Sequence, residues 1–367
     1  MMKRTLHRYA ALVAKVVLIA QPLVLLSACQ QGDDSEPQPR NTPVPLSLYS
    51  GITSSVTRAY DATWETNDQI GVFTVVAGQT DASKITYSGS NLDANIPYTA
   101  TAGATYTSGS VASTSYNANS QTYNSFSPSD AANKIYLPLD GSNVDVYAYY
   151  PYDENASASG KDITLETNQT FEGQKGYDIL KASSLTATSP INIDYPSTKL
   201  LFQHCLTKVL IVVKVGTGYS SVDLTNQTAV KLSNQPTSAT FYPLTQAVTI
   251  NTLSADFTDI VPLELSEGDP DYSKKSDGLY IYRALLLPNQ NGNPATATGR
   301  EIVFTIGAKT PGAATTIYRY VITKTLVAGQ ETIYTLTLNA TGVSVTAAIS
   351  PWTTQNVTPD DPLYEEQ

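Results

Sequence analysis

Short apolar or alternating runs separated by turn residues dominate this chain. Alternation of apolar and polar side chains is typical of strands that bury one face, and the Gly, Pro, Asn and Asp between the runs indicate turns. Amphipathic helices do not come between the runs, which favours an all-β fold of antiparallel sandwiches over a parallel sheet. The predicted strands are 68–76, 134–139, 144–150, 199–215, 229–232, 247–252, 259–265, 279–287, 301–306, 316–325, 331–338 and 343–349, with a shorter strand-like stretch within 44–56.

The most apolar segment of the chain beyond its N-terminus, 199–215, divides the sequence. Near-continuous apolarity in a β context predicts a strand that is covered on both faces or that crosses between sheets. The stretch just before it, 189–197, holds two prolines and little apolar periodicity. We therefore place a domain boundary near residue 198, which gives an N-terminal domain at 44–197, a C-terminal domain at 198–352 and a polar tail at 353–367.

Residues 1–28 have the features of a lipoprotein signal peptide. Basic residues flank or interrupt an apolar stretch at 10–26, and no Asp or Glu precedes Asp33. The stretch ends in Leu26-Ser27-Ala28-Cys29, an apolar residue and two small ones before a cysteine that can accept a lipid. A transmembrane anchor is disfavoured, because Lys15 and Gln21-Pro22 interrupt a stretch that would need roughly 20 continuous apolar residues. We expect lipidation at Cys29 and attachment to the outer membrane through that lipid.

The residues after Cys29 are polar and rich in proline, so we interpret 29–43 as a flexible tether. With Cys29 lipidated, Cys205 is left as the second of only two cysteines, and no intrachain disulfide can form. Cys205 is predicted to be a small buried apolar residue.

Composition argues against several classes of function. The formal net charge is −10, and no run of Lys or Arg follows the signal, which argues against nucleic acid as a partner. Two cysteines and two histidines are too few for a structural zinc site. Phosphate-binding, zinc-protease, serine-hydrolase and calcium-loop motifs are missing from the sequence; Asp269, Asp271 and Asp277 fail the calcium spacing and predict a solvated turn. We therefore expect no enzyme activity and no cofactor, and we interpret His204 as a core residue.

Two tyrosine-containing segments leave alternatives open. The uncharged stretch 94–129 predicts either a pair of edge strands with long loops or an adaptable recognition surface. Tyr147, Tyr149, Tyr150 and Tyr152 can stack on a sugar ring, but alternation in 144–150 equally predicts a half-buried strand.

Arg58 and Ala59 form a candidate protease site. Arg40 and Arg58 are the basic residues between Cys29 and Lys84, and Arg58 follows the strand-like stretch 44–56 in a polar context. Exposed basic sites in loops are where trypsin-like proteases cut. Taken alone, the residue is better interpreted as an ordinary surface arginine.

Four stretches follow one another behind the lipid-attachment motif. They are Thr57-Arg58-Ala59 with Trp64, Asp68 and Ile70-Gly71-Val72-Phe73; Val146-Tyr-Ala-Tyr-Tyr-Pro-Tyr-Asp153; Asp178-Ile-Leu-Lys-Ala182; and Phe202-Gln-His204-Cys-Leu206-Thr-Lys208-Val209. In this order they resemble the fimbrillin family of lipoprotein pilus subunits (type V pili). The resemblance covers roughly residues 50–210, and the second half is similar only in its strand-rich character. Two positions depart from the family pattern: Asn67 stands where glycine is usual and Lys181 where an apolar or aromatic residue is common.

The resemblance implies two tandem transthyretin-like β-sandwich domains and export to the cell surface as a subunit of a fimbria. It further implies that an arginine-specific protease cuts between Arg58 and Ala59 and removes the strand within 44–56, whose groove is then filled by a strand of another pilin subunit. The expected partners are thus other pilin subunits, the outer membrane, and a host or bacterial surface glycan or protein. The competing hypothesis is a surface lipoprotein that binds carbohydrate and does not polymerise.

The candidate donor strand is 343–349, in which Val343, Val345, Ala347 and Ile349 alternate with smaller or polar residues. The same residues equally predict the last strand of the second domain. A free strand would make the chain a stalk subunit, whereas a strand held in its own domain would make it a tip or accessory subunit.

Overall fold

Strands form nearly all of the regular structure in the computed structural model, which describes residues 42–52, 64–105, 124–186, 190–218, 228–251, 257–289, 299–306, 316–339 and 342–351. One short helix, α1 (Phe171–Tyr177), and a few 3₁₀ turns complete this described part. The prediction of an all-β protein is confirmed, whereas the transthyretin-like arrangement stays a prediction. In chain order the strands are β1 (Ser47–Ile52), β2 (Gln69–Val76), β3 (Tyr87–Ser88), β4 (Asn91–Leu92), β5 (Ile96–Thr105), β6 (Asn124–Pro128), β7 (Val144–Tyr150), β8 (Lys161–Thr164), β9 (Leu180–Ser183), β10 (Ser197–His204), β11 (Thr207–Val215), β12 (Thr228–Pro236), β13 (Ser238–Tyr242), β14 (Ala247–Ile250), β15 (Phe257–Ile260), β16 (Leu263–Glu264), β17 (Tyr280–Leu286), β18 (Glu301–Ile306), β19 (Thr316–Val321), β20 (Gln330–Asn339) and β21 (Gly342–Pro351).

The first sheet closes on itself in the order β1-β10-β9-β7-β2-β5-β6, with β6 bonded back to β1. Its neighbouring strands are antiparallel except for β1 and β10, which run parallel. The uncharged segment 94–129 contributes β5 and β6, and neither strand is an edge here, because β2 and β1 flank the pair. The expectation of two edge strands is therefore wrong for this closed form of the sheet.

Three further sheets follow in the rest of the described chain. One has the order β16-β17-β11-β20-β21 and another β15-β12-β18-β19. The third, β14-β13-β8, takes β8 from the first half of the sequence and β13 from the second. The remaining sheet is a two-stranded hairpin, β3-β4.

The apolar segment 199–215 is two strands rather than one, because a bend at Cys205 and Leu206 separates β10 from β11. In β10 buried and more exposed residues alternate, whereas the first seven residues of β11 are all buried. The segment thus crosses from the closed sheet to the five-stranded sheet. Of the two alternatives predicted for it, the crossing between sheets is confirmed. The change of sheet comes a few residues after the boundary predicted near 198, and the division into two domains itself stays a prediction.

Strand β7 separates two apolar cores. Val146 and Ala148 face a core inside the closed sheet, and Tyr147 and Tyr149 face a larger core that extends into the second half of the chain. The prediction of a half-buried strand is therefore wrong: both faces are covered. Because the rings of Tyr147 and Tyr149 are buried, they are not available to stack on a sugar.

No helix in the described ranges is long and apolar enough to cross a membrane.

Candidate functional site: the first strand and its groove

Strand β1 lies between β6 and β10, two strands that are distant in sequence, and it forms hydrogen bonds with both. Ser47 to Ile52 pair in parallel with Ser197 to Phe202 of β10, and Leu48 to Ser50 pair antiparallel with Asn124 to Phe126 of β6. Both backbone edges of β1 are thus used for hydrogen bonding. Without β1, the edges of β6 and β10 would face an open groove.

Alternation along β1 decides which side chains fill that groove. Leu46, Leu48 and Ser50 are buried, whereas Ser47 and Tyr49 are partly exposed. Leu46 and Leu48 join the core inside the closed sheet, which also holds Phe126 of β6 and Ile135 of the segment 134–139. The strand and the residue just before it therefore insert a row of side chains in the order aliphatic, aliphatic, hydroxyl.

Backbone hydrogen bonds extend the hold on β1 toward its N-terminus. Leu46 N donates to Ile135 O at 3.0 Å, and Leu137 N donates to Val44 O at 2.9 Å. The prediction of a strand at 134–139 is wrong: the structure has no strand there. These residues make an isolated β-bridge, Tyr136 with Pro45, to the chain just before β1.

Trp64 forms the floor of the groove beneath β1. Its ring makes edge contacts with Phe126 of β6 and Phe202 of β10, at centroid distances of 5.1 and 4.9 Å, and a third with Tyr150 at 5.3 Å. Its indole Nε1–H donates to the Ser50 hydroxyl at 3.1 Å. The ring thus contacts both walls of the groove as well as the strand that fills it.

A tight turn holds Trp64 in register with the sheet. Glu65 N donates to Asp68 Oδ2 at 2.7 Å, and the Tyr150 hydroxyl donates to Asp68 Oδ1 at 3.1 Å. Burial raises the pKa of Asp68 above its ordinary value, although these hydrogen bonds oppose the rise. Asn67 has φ of +74°, a left-handed conformation that glycine adopts most readily and asparagine tolerates, which explains why asparagine can replace glycine here.

The other sequence-predicted site residues near the N-terminus lie outside the described residues. These are Cys29, Arg58 and Ala59. The described chain ends at Ile52 of β1 and resumes at Trp64, so the predicted protease site falls between the strand and its groove floor in sequence. Lipidation and cleavage stay predictions.

The candidate donor strand forms β21, an edge strand of the five-stranded sheet. It pairs antiparallel with β20 along its whole length, including Val345 opposite Leu336 and Ala347 opposite Tyr334. Val345 and Ala347 pack against the larger core, and Ile349 is 37% exposed. The backbone of Val343 pairs with Leu338, and its side chain lies outside the described part.

A buried ion network was not predicted from the sequence. Lys208 Nζ lies 2.9 Å from Glu331 Oε2 and 3.1 Å from Asp271 Oδ2, and Lys274 Nζ lies 2.8 and 2.7 Å from Asp271 and Glu331 oxygens. Arg283 pairs with Asp269 at 2.8 Å. The prediction of a solvated turn is therefore wrong for Asp269 and Asp271, because lysines and an arginine from neighbouring elements compensate their charges. The sequence signal for this network was Lys208, a charged residue inside the most apolar segment, 199–215.

The interpretation of His204 and Cys205 as core residues is confirmed. His204 is buried with its Nδ1 3.0 Å from Asp178 Oδ2. Cys205 is a buried free thiol, and burial raises its pKa to about 12. Among the described residues no group of three or more His, Cys, Asp or Glu side chains is arranged to hold a metal ion.

Comparison with known proteins identifies the family of the chain. A proposed fimbrium subunit of Bacteroides uniformis, Fim1C, is 29% identical over 340 residues, which cover 91% of this chain and 93% of that protein. The crystal structure of a proposed cell adhesion protein of B. uniformis superposes with a TM-score of 0.58 at 24% identity, over 86% of this chain and all of the other. The crystal structure of a proposed cell adhesion protein of Bacteroides ovatus superposes with the same TM-score and coverage at 19% identity.

These two structures support the fold alone, since their identities to this chain are low. The sequence model of the family described as Fimbrillin-like matches residues 57–352, most of the chain. The resemblance found in the sequence motifs is thereby confirmed, and the chain belongs to the fimbrillin-like family.

Proposed function

We propose that this chain is a structural and adhesive subunit of a cell-surface fimbria, without enzyme activity. It is exported as an outer membrane lipoprotein through Cys29 and is cut between Arg58 and Ala59. The cut separates β1 from the rest of the chain, and a strand from another subunit then displaces it. Family membership and the similarity to a proposed fimbrium subunit support the fimbrial role.

The observation that carries the strand-exchange step is the position of β1 between β6 and β10. A strand at the N-terminal end of a domain can be removed without breaking any other strand, yet this one fills an interior place in a closed sheet. Its loss would leave two unpaired backbone edges beside an apolar floor. Such a groove is a strong template for strand addition.

Energetics support replacement of β1 rather than its simple loss. Fully burying Leu46 and Leu48 contributes about 1.5–3 kcal/mol each, and backbone hydrogen bonds to both walls add to this. A cut strand would therefore stay in place until another strand with matching side chains competes for the groove.

The place of β21 supports a tip or accessory role over a stalk role. A stalk subunit must offer a strand to its neighbour, and β21 is paired along its length with β20 and packed on its own core. Donation of Val343, Val345, Ala347 and Ile349 would require that this pairing open first.

The test is the N-terminus of the protein recovered from cells, compared for the wild type and the Arg58→Ala and Arg40→Ala variants. We expect the wild type and Arg40→Ala to start at Ala59 and to be found in fimbriae. Arg58→Ala should start at lipidated Cys29 and stay out of fimbriae.

Arg40→Ala is the matched control, because a cut there would leave β1 attached. A wild-type protein that starts at Cys29 and stays monomeric would contradict the proposal and favour the surface lipoprotein that binds carbohydrate.

A further inference from the structure

The contact between Trp64 and Ser50 makes the groove selective. We propose that Trp64 recognises the third inward position of whichever strand fills the groove and requires a serine or threonine hydroxyl there. The partner is then a strand of another subunit with aliphatic residues four and two positions before a Ser or Thr. This inference rests on the proposed strand exchange and specifies which strands can take part.

The position of the indole N–H is fixed by the walls of the groove. Phe126 and Phe202 come from the two strands that flank β1, and Tyr150 comes from β7; all three meet the Trp64 ring edge-on. Trp64 itself is buried. These contacts direct the N–H toward the strand that fills the groove.

The chemistry of the indole group sets the requirement. The tryptophan Nε1–H donates one hydrogen bond and accepts none, so its partner must supply an oxygen acceptor. Ser50 does so at 3.1 Å from a position that is only 1% exposed. Alanine or valine at this position would leave the buried donor without a partner, and a long polar side chain would not fit between the strand and the ring.

The chain's own strand β21 does not meet this requirement. Its alternating apolar face consists of Val343, Val345, Ala347 and Ile349, and it carries no hydroxyl in any register. The opposite face supplies Ser344, Thr346 and Ser350 but lacks aliphatic residues four and two positions before each of them. A second copy of this chain is therefore a poor donor through β21, and the geometry favours a donor strand from a different subunit.

The experiment measures competition for the groove in the mature chain after cleavage at Arg58. Synthetic peptides that copy residues 44–53 carry Ser, Thr, Ala or Val at position 50, and each competes with a fluorescently labelled copy of the native segment. We expect the Ser and Thr peptides to compete equally and the Ala and Val peptides to be weaker by about tenfold or more.

Two matched controls make the result specific. A peptide with Ser47→Ala removes the same hydroxyl from the partly exposed face of β1 and should compete like the native sequence. In a Trp64→Phe chain the difference between the native and the Ser50→Ala peptides should disappear. A peptide that copies residues 342–351 should compete poorly with the wild-type chain.

Equal competition by the native and the Ser50→Ala peptides in the wild-type chain would overturn the proposal, as would tight binding of the 342–351 peptide. Should Trp64→Phe fail to fold, the wild-type series and the Ser47→Ala control still decide the question.

Strand exchange and hydroxyl recognition can fail separately. A double-mutant cycle of Ser50→Ala and Trp64→Phe in the uncut chain, followed by urea unfolding, tests the recognition pair without exchange. If the two substitutions are coupled but no peptide enters the groove of the cut chain, strand exchange is contradicted. The recognition of Ser50 by Trp64 would still hold in that case. Additive effects in the cycle would contradict the recognition of Ser50 by Trp64.

Discussion

Lys208 and Glu331 face each other in register across the parallel strands β11 and β20, with Nζ 2.9 Å from Oε2 and only 3% and 2% of their side chains exposed. Asp271 and Lys274 complete a network in which each charge has an opposite neighbour. Burial of charges is tolerated only with such pairing. The network therefore fixes the loop that carries Asp271 against the five-stranded sheet.

Replacing Glu331 by Gln should strongly destabilise the protein. The substitution keeps the shape of the side chain but leaves Lys208 and Lys274 with less negative charge beside them, and breaking a buried pair in this way costs about 3–5 kcal/mol. Urea unfolding measures the effect. The control is Asp259→Asn, which removes a pair with Lys231 at 2.6 Å that is almost half exposed, and it should cost less than about 1 kcal/mol. Equal effects of the two substitutions would contradict the role of the buried network.

Stability should fall in acid through Asp271. Burial alone would raise the pKa of this carboxyl, but Lys208 and Lys274 hold it below its ordinary value of 3.8. A group whose pKa is lower in the folded state stabilises the fold above its unfolded pKa, and this stabilisation is lost as the pH falls through the folded pKa. We expect the urea midpoint to decrease below about pH 4 and the decrease to be smaller in Asp271→Asn. An unchanged acid profile in that variant would count against this assignment.

Shortening Leu48 should loosen β1 within its groove. Leu48 is buried near the start of the strand, opposite Phe126, and a Leu→Ala change in such a place costs about 2–5 kcal/mol. Hydrogen exchange of the β1 amides in the intact chain should accelerate. Ser47→Ala on the other face should change it little, within about 0.5 kcal/mol. Similar exchange rates in the two variants would argue against tight packing of β1.

Gly71 is required by the close approach of the Tyr149 ring. A Cβ at Gly71 would overlap that ring and lie 2.6 Å from Asn95 Oδ1, and the Tyr149 hydroxyl is fixed by a 2.7 Å hydrogen bond to the same oxygen. Gly71→Ala should therefore destabilise the fold by about 1–3 kcal/mol.

The matched control is Gly176→Ala in α1, where a Cβ would meet no atom within 4 Å apart from its own helix backbone and its chain neighbours. It should stabilise by about 0.5–1 kcal/mol, because alanine loses less backbone freedom in a helix. Thermal unfolding shows whether each variant has a lower or a higher Tm than the wild type. Destabilisation by both would show that the effect is not specific to the Tyr149 contact.

Single strands with clear alternation were predicted well. The bounds of β7 and β18 agree with the predicted 144–150 and 301–306. Strands β8, β9 and β13 were missed, because they are short and mix polar with apolar residues, and their pairing with distant strands decides their conformation. The groove could be foreseen only in part: the motif that contains Trp64 was recognised, but its contact with Ser50 joins residues on either side of the predicted cut.

The sequence by itself determined the all-β class, the family and the segments that become most of the strands, since side-chain alternation and turn residues act over a few neighbouring positions. Only the tertiary structure decided that β1 lies between β6 and β10, that both faces of β7 are covered, and that Asp271 is buried among Lys208 and Lys274. Each of these depends on contacts between residues far apart in the chain. Periodicity shows which side of a strand is apolar, but the partner that covers that side is set by packing of the whole fold.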